Sequence, residues 1–144
     1  MAKTPQTLTI DDSCFAMRAR LLSRVVTGIY DEATRPLGVK ASQITLLAIT
    51  AHMGVARPSD VCEVLHMDAS TLSRNVERMR KSGWLEVVPG EGRSQPFQLT
   101  DAGWKLLKKV EPLWKKAQQK ARTTLGKELA DALSGPLAEL RPTD

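Results

Sequence analysis

A chain of 144 residues is the size of one domain, long enough to bury a core and too short for two independent ones. With 21 Lys and Arg against 16 Asp and Glu it carries a net +5, which favours an acidic partner, and its 42% apolar and 26% charged residues exclude a disordered tail. No apolar run approaches the roughly 18 residues of a membrane span, and the start "MAKTPQTLTIDDS" lacks the apolar centre of a signal peptide. A cytoplasmic chain with no membrane partner is expected.

Residues 1–10 read as a polar N-terminal arm. From 11 to 35, "DDSCFAMRARLLSRVVTGIYDEA" opens with acidic and Ser capping candidates and sets Phe15, Leu22, Val25, Val26 and Ile29 at helical spacing, ending before Pro36 and Gly38. Ser42 is positioned to cap a second helix, "SQITLLAITAHMG", with Ile44, Leu47, Ala48 and Ala51 on one face and Gly54 past its end. Pro58 suits the first turn of a third helix, "PSDVCEVLHM", whose Asp60 and Glu63 come early, where the helix dipole favours negative charge. A turn at Asp68 leads into "ASTLSRNVERMRK", in which Leu72, Val76 and Met79 form the buried stripe and Gly83 closes the helix. Three short helices with tight turns have the pattern of a helix-turn-helix.

The segment "WLEVVPGEGRSQPFQLT" alternates around Leu85 and Val87, turns through Pro89, Gly90 and Gly92, and returns through Phe97 and Leu99, as a small hairpin does. Thr100 and Asp101 then cap a long helix with Trp104, Leu107, Val110, Trp114, Ala117, Ala121 and Leu125 three or four apart. Pro112 is expected to bend it, and Gly126 separates it from "KELADALSGPLAEL". Between Asp101 and Glu128 stand eight Lys and Arg against three acids, an excess equal to that of the whole chain. These cations read as a solvated outer face that steers electrostatically. The apolar stripe is too long for a small hairpin domain to cover, so a homodimer is the economical explanation. The expected fold is mainly α with a small β-hairpin wing: a winged helix-turn-helix over 36–100, with dimerisation helices over 11–35 and 101–144.

Stepping 100° per residue from Leu72 places Ser70, Thr71, Arg74, Glu77, Arg78 and Lys81 on the outer face of the fourth helix, with Asn75 at its margin. Hydroxyls at a helix N-terminus suit phosphate, and Arg pairs with guanine through two hydrogen bonds in the major groove. A solvated face of ordinary charges is the alternative. The adjoining hairpin with Arg93 at its tip, able to place a cation at a minor groove, tips the balance towards double-stranded DNA.

Nearly the whole chain, from Asp12 to about Leu140, resembles the MarR family of transcriptional regulators. The resemblance is carried by "CFAMRARLLSRVV", "RPLGVKASQITLL", "MDASTLSRNVERMRKSGWLE" and "FQLTDAGWKLL". It implies a homodimeric regulator, in most cases a repressor, on a pseudo-palindromic operator. It implies helix contacts from Ser70, Thr71, Ser73, Arg74 and Arg78, with Asn75 beside them, and a wing contact from Arg93. Many relatives alternate aspartates and arginines in the wing; this chain has "PGEGRSQP", with Glu91 and Arg93 alone and glycines around them, as in a looser wing.

Three further features bear on regulation. "CFAM" resembles the first-helix site of a peroxide-sensing cysteine, with Arg18 one turn beyond Cys14 to stabilise a thiolate, but the tyrosines of those relatives are absent. A small buried thiol is the plainer reading. The resemblance also implies release by a small aromatic or phenolic ligand, for which Arg18, His52 and Trp104 are the candidates, packing or surface roles being the alternative. Cys62 and His66 lie four apart, a spacing at which two side chains can share a metal, yet no nearby cluster completes a site and no metal or cofactor is expected. No nucleophile and base, glycine-rich phosphate loop or carboxylate pair has workable spacing, which disfavours an enzyme. The rival from another class is a winged helix that serves only as a protein-interaction module.

Overall fold

In a computed structural model, residues 9–90 and 95–135 are described. The elements among them are α1 (Phe15–Thr34), a 3-10 turn (Arg35–Leu37), α2 (Ala41–Met53), α3 (Pro58–Leu65), α4 (Ala69–Lys81), β1 (Leu85–Val87), β2 (Phe97–Leu99), α5 (Asp101–Leu125) and α6 (Lys127–Leu133). The strands pair antiparallel, Leu85 opposite Leu99 and Val87 opposite Phe97. Phe97 also exchanges both backbone hydrogen bonds with Ala56, at 2.8 and 3.0 Å, so the loop before α3 closes the open side of β2.

The caps differ in detail from those expected. The acids before α1 do not cap it: Asp11 instead accepts from the Ser13 amide at 2.8 Å, and Cys14 takes the N-cap position with no side-chain bond. Ser42 lies within the first turn of α2 rather than ahead of it. The N-cap is Lys40, whose amide donates to Gln43 Oε1 at 2.9 Å, while the Ala41 amide donates to Asp31 Oδ1 at 2.7 Å. Pro58 opens α3 as its first residue, where its missing N–H costs no intrahelical bond.

The main core gathers Leu46, Leu47, Val61, Leu72, Met79, Leu85 and Phe97 from α2, α3, α4 and the hairpin. α2 is its axis. Leu46 and Thr50 are buried along with the expected Ile44 and Leu47, so this helix is enclosed on more than one face. Thr50 Oγ1 donates to the Leu46 carbonyl at 2.7 Å, which satisfies the hydroxyl without breaking the apolar packing. Thr34, equally buried, donates to the Val39 carbonyl at 2.7 Å and so ties the end of α1 to the approach to α2.

A second, smaller cluster joins Ile29 of α1 to Ala117 and Ala121 of α5, with Tyr30 beside it hydrogen-bonded to Gln118. Small alanines let the two long helices approach closely. α5 runs unbroken through Pro112. Its inward residues are Gly103, Leu106, Val110, Ala117 and Ala121, so the expected stripe holds at Val110, Ala117 and Ala121 but not at its two tryptophans: Trp104, at the start, and Trp114, midway, are 45% and 40% exposed. On α1, Phe15 is 89% and Val25 40% exposed, again where an apolar stripe predicted burial. Among the described residues of a single copy, nothing covers the outward side of these side chains. Asp131 bonds Arg122 at 2.7 Å and Lys127 at 2.9 Å, fastening α6 to the end of α5.

Candidate nucleic-acid interface

α4 owes its place to a narrow stripe. Leu72 and Met79 are 1% exposed and Val76 half-buried, while the rest of the helix faces outward. It starts at Asp68, which accepts from the Thr71 amide at 2.8 Å, and it ends through Ser82 into Gly83, whose φ of +80° belongs to the left-handed region glycine occupies without strain. That reversal sends Trp84 and β1 back along the core.

Ser70 and Thr71 are not free hydroxyls. Both donate to the Asp68 carboxylate, Ser70 Oγ at 2.7 Å and Thr71 Oγ1 at 2.8 Å. The hydrogen bond from Ser70, followed by those from the amide and hydroxyl of Thr71, holds the Asp68 pKa down at about 2. The sequence reading passed over Asp68 except as a turn residue; its signal was an Asp two and three positions before two hydroxyls.

The remaining expected contacts divide by direction. Arg74 is exposed, its guanidinium 3.4 Å from Thr71 Oγ1. Ser73 lines a cavity of about 510 Å³ between α3, α4 and the wing, together with Pro58, Val76, Glu77, Val87 and Phe97. Asn75 and Arg78 line a smaller one, about 90 Å³, on the opposite flank, facing Lys40, Ser42 and Gln43. These three residues at the start of α2 were missed because nothing in the sequence places that helix beside α4. Glu77 holds Arg80 through two bonds, at 2.9 and 2.8 Å, and removes that arginine from the free outer face. Arg93 lies outside the described residues, as does Glu91.

The regulatory candidates are scattered. Arg18 is exposed and donates to the Asp12 carbonyl at 2.5 Å; Cys14, half-buried, is a free thiol. His52 is exposed with Nδ1 2.7 Å from the Ala48 carbonyl, and Trp104 is on the outside of α5. None of Arg18, His52 or Trp104 lines either of the two cavities above. α3 stops at Leu65 and His66 adopts a left-handed φ of +50°, so Cys62 and His66 do not share one helix as their spacing implied. No group of three metal-binding side chains occurs among the described residues, and no helix among them is long and apolar enough to cross a membrane.

The helix-turn-helix of α3 and α4 and the start of the wing fall within residues 37–94, which match the MarR family. The transcriptional regulator MosR of M. tuberculosis, solved in complex with DNA, is 30% identical to the chain, superposes with a TM-score of 0.72, and covers 78% of this chain and 84% of its own. The chain belongs to the MarR family. A mutant of MarR itself from E. coli, solved with operator DNA, has the same fold at 21% identity, with a TM-score of 0.75 over 82% of this chain and 86% of that one. PecS of Dickeya dadantii, an HTH-type transcriptional regulator, is 30% identical over 94 residues, 62% of this chain. The chain spans little more than half the length of the curated relatives it matches, 57% for PecS. These MarR-like proteins are transcriptional regulators, not enzymes.

Proposed function

We propose that two copies of this chain form a transcriptional repressor that sets its paired α4 helices in successive major grooves of a pseudo-palindromic operator and blocks transcription by occupying it. The observation that carries the reading is the outer face of α4, where Arg74 stands exposed beside the Asp68-ordered hydroxyls of Ser70 and Thr71, flanked by the wing. A guanidinium at that height on a recognition helix is suited to a guanine edge. That MosR and MarR relatives were solved with DNA supports the same reading. Exposed Phe15, Leu21, Val25 and Trp114 on α1 and α5 support the second copy. In this reading a small aromatic ligand would act near Arg18, His52 and Trp104, in a site completed by that copy.

The test is Arg74→Ala on an operator found by footprinting. Specific affinity falls by about 1–3 kcal/mol, and discrimination relaxes at one base position of each half-site, with the melting temperature unchanged. Operator affinity that survives the substitution intact counts against α4 as the reader.

A further inference from the structure

We propose that the small cavity between α2 and α4 is a seat for a DNA backbone phosphate, and that Lys40, Ser42 and Arg78 are positioning residues that fix where along the groove α4 lies. The proposal rests on the DNA-binding reading above and divides its residues into two kinds. Arg74 reads a base; Arg78, one turn on, does not.

Three observations carry it. First, the cavity is lined by Lys40, Ser42, Gln43, Asn75, Arg78 and Met79, so two cations and three neutral polar side chains converge on it, and no carboxylate is among them. Second, its donors are unengaged. Some cations of the chain are taken up by carboxylates, as Arg35 is by Glu32, Arg80 by Glu77, and Arg122 and Lys127 by Asp131. Among the described residues, Lys40 and Arg78 have no such partner, and the Ser42 hydroxyl and the Asn75 amide make no side-chain hydrogen bond. The Gln43 carboxamide has already given its oxygen to the Lys40 amide, which leaves its NH2. Every group left over at the rim can donate. Third, the volume of about 90 Å³, floored by buried Met79, suits the outer oxygens of a phosphodiester and not a planar base.

Direction on the helix agrees. Asn75 and Arg78, three apart, turn together towards α2, away from the flank where Ser73 faces the wing. A phosphate held between α2 and α4 is contacted from two elements that share one core, which is how backbone contacts set register without carrying sequence information.

The experiment compares wild type, Lys40→Ala, Arg78→Ala and Arg74→Ala on the footprinted operator and on a random-sequence duplex, each over a salt series. Lys40 and Arg78 are exposed, and a melting curve confirms that each variant folds. Lys40→Ala and Arg78→Ala should weaken both duplexes by the same factor and leave base preference unchanged. Each should also flatten the slope of log K against log salt by about 0.9 per lost phosphate contact, hence by about 1.8 for a dimer. Arg74→Ala should weaken the operator alone. If Arg78→Ala relaxes a base preference and spares the random duplex, or if the salt slope does not move, the seat is not a phosphate seat. If inorganic phosphate at constant ionic strength binds the free protein tightly enough to displace DNA, and Lys40→Ala abolishes that, the seat serves a free anion and the proposal is wrong. A wild type that binds no duplex overturns the DNA-binding reading itself. One that selects its operator while Lys40→Ala and Arg78→Ala behave like Arg74→Ala overturns only the present inference.

Discussion

Asp68 shows how much of the interface depends on a residue that would not touch a base. Three hydrogen bonds converge on its carboxylate, and they hold its pKa at about 2, below the ordinary 3.8. A carboxyl whose pKa is lowered by folding contributes stability above its unfolded value and loses that contribution as pH falls through the folded one. Chemical denaturation of wild type and Asp68→Ala should therefore show a stability gap that is full above about pH 4 and closes towards pH 2. Asp68→Asn, which still accepts from the Thr71 amide, should lie between them at neutral pH. A gap indifferent to pH would mean that the carboxylate charge does nothing there. From the sequence, Ser70 and Thr71 were legible as hydroxyls at a helix N-terminus; that both already donate hydrogen bonds to Asp68 was not, since capping is a matter of rotamers and not of composition. That Arg74 faces out was legible, because a charged residue opposite a buried stripe turns to solvent.

At the scale of elements, helical spacing located α1 to α5 and alternation the hairpin, though not the 3-10 turn at Arg35–Leu37, and it misjudged which side of α5 turns inward at its start. The reason is Gly103. A Cβ on this residue would collide with the Trp84 carbonyl oxygen and come within 2.7 Å of Leu99 Cδ2, so α5 lies directly on the base of the wing there. A reading that follows large apolar side chains picks Trp104 and passes over the glycine beside it. Gly103→Ala should cost about 1–3 kcal/mol by overpacking, despite the better helix propensity of alanine. Urea titration gives the number, and a neutral or stabilising result would mean that α5 can lift from the wing without loss. α2 was misread for a different reason: a helix enclosed on several sides has no strong periodicity to show, and the sequence revealed only one of its faces.

For the whole molecule the open question of packing becomes one of stoichiometry. Phe15 at 89% exposure, Leu21 at 63% and Trp114 at 40% put large apolar surface in water on the two longest helices. In the proposed dimer this surface is the interface, so Leu21→Asp should shift the sedimenting species towards monomer and lower operator affinity, as each half-site then binds alone. The hairpin domain, whose core does not include Leu21, should keep its thermal transition. A dimer that survives Leu21→Asp would place the interface elsewhere. The length of the apolar stripe on α5 is what suggests a second copy from the sequence, while the cavity that joins Lys40 and Ser42 to α4 depends on tertiary packing that no local pattern encodes.

The contrast between α2 and α4 also has a kinetic side. α2 is enclosed by the core on more than one face, and hydrogen exchange should find its amides among the slowest of the hairpin domain. α4 is held by one stripe with a cavity on either flank, so its first turns can open locally at a much smaller free-energy cost. In the proposed complex the helix offered to DNA would then open more readily than the helix it is mounted on.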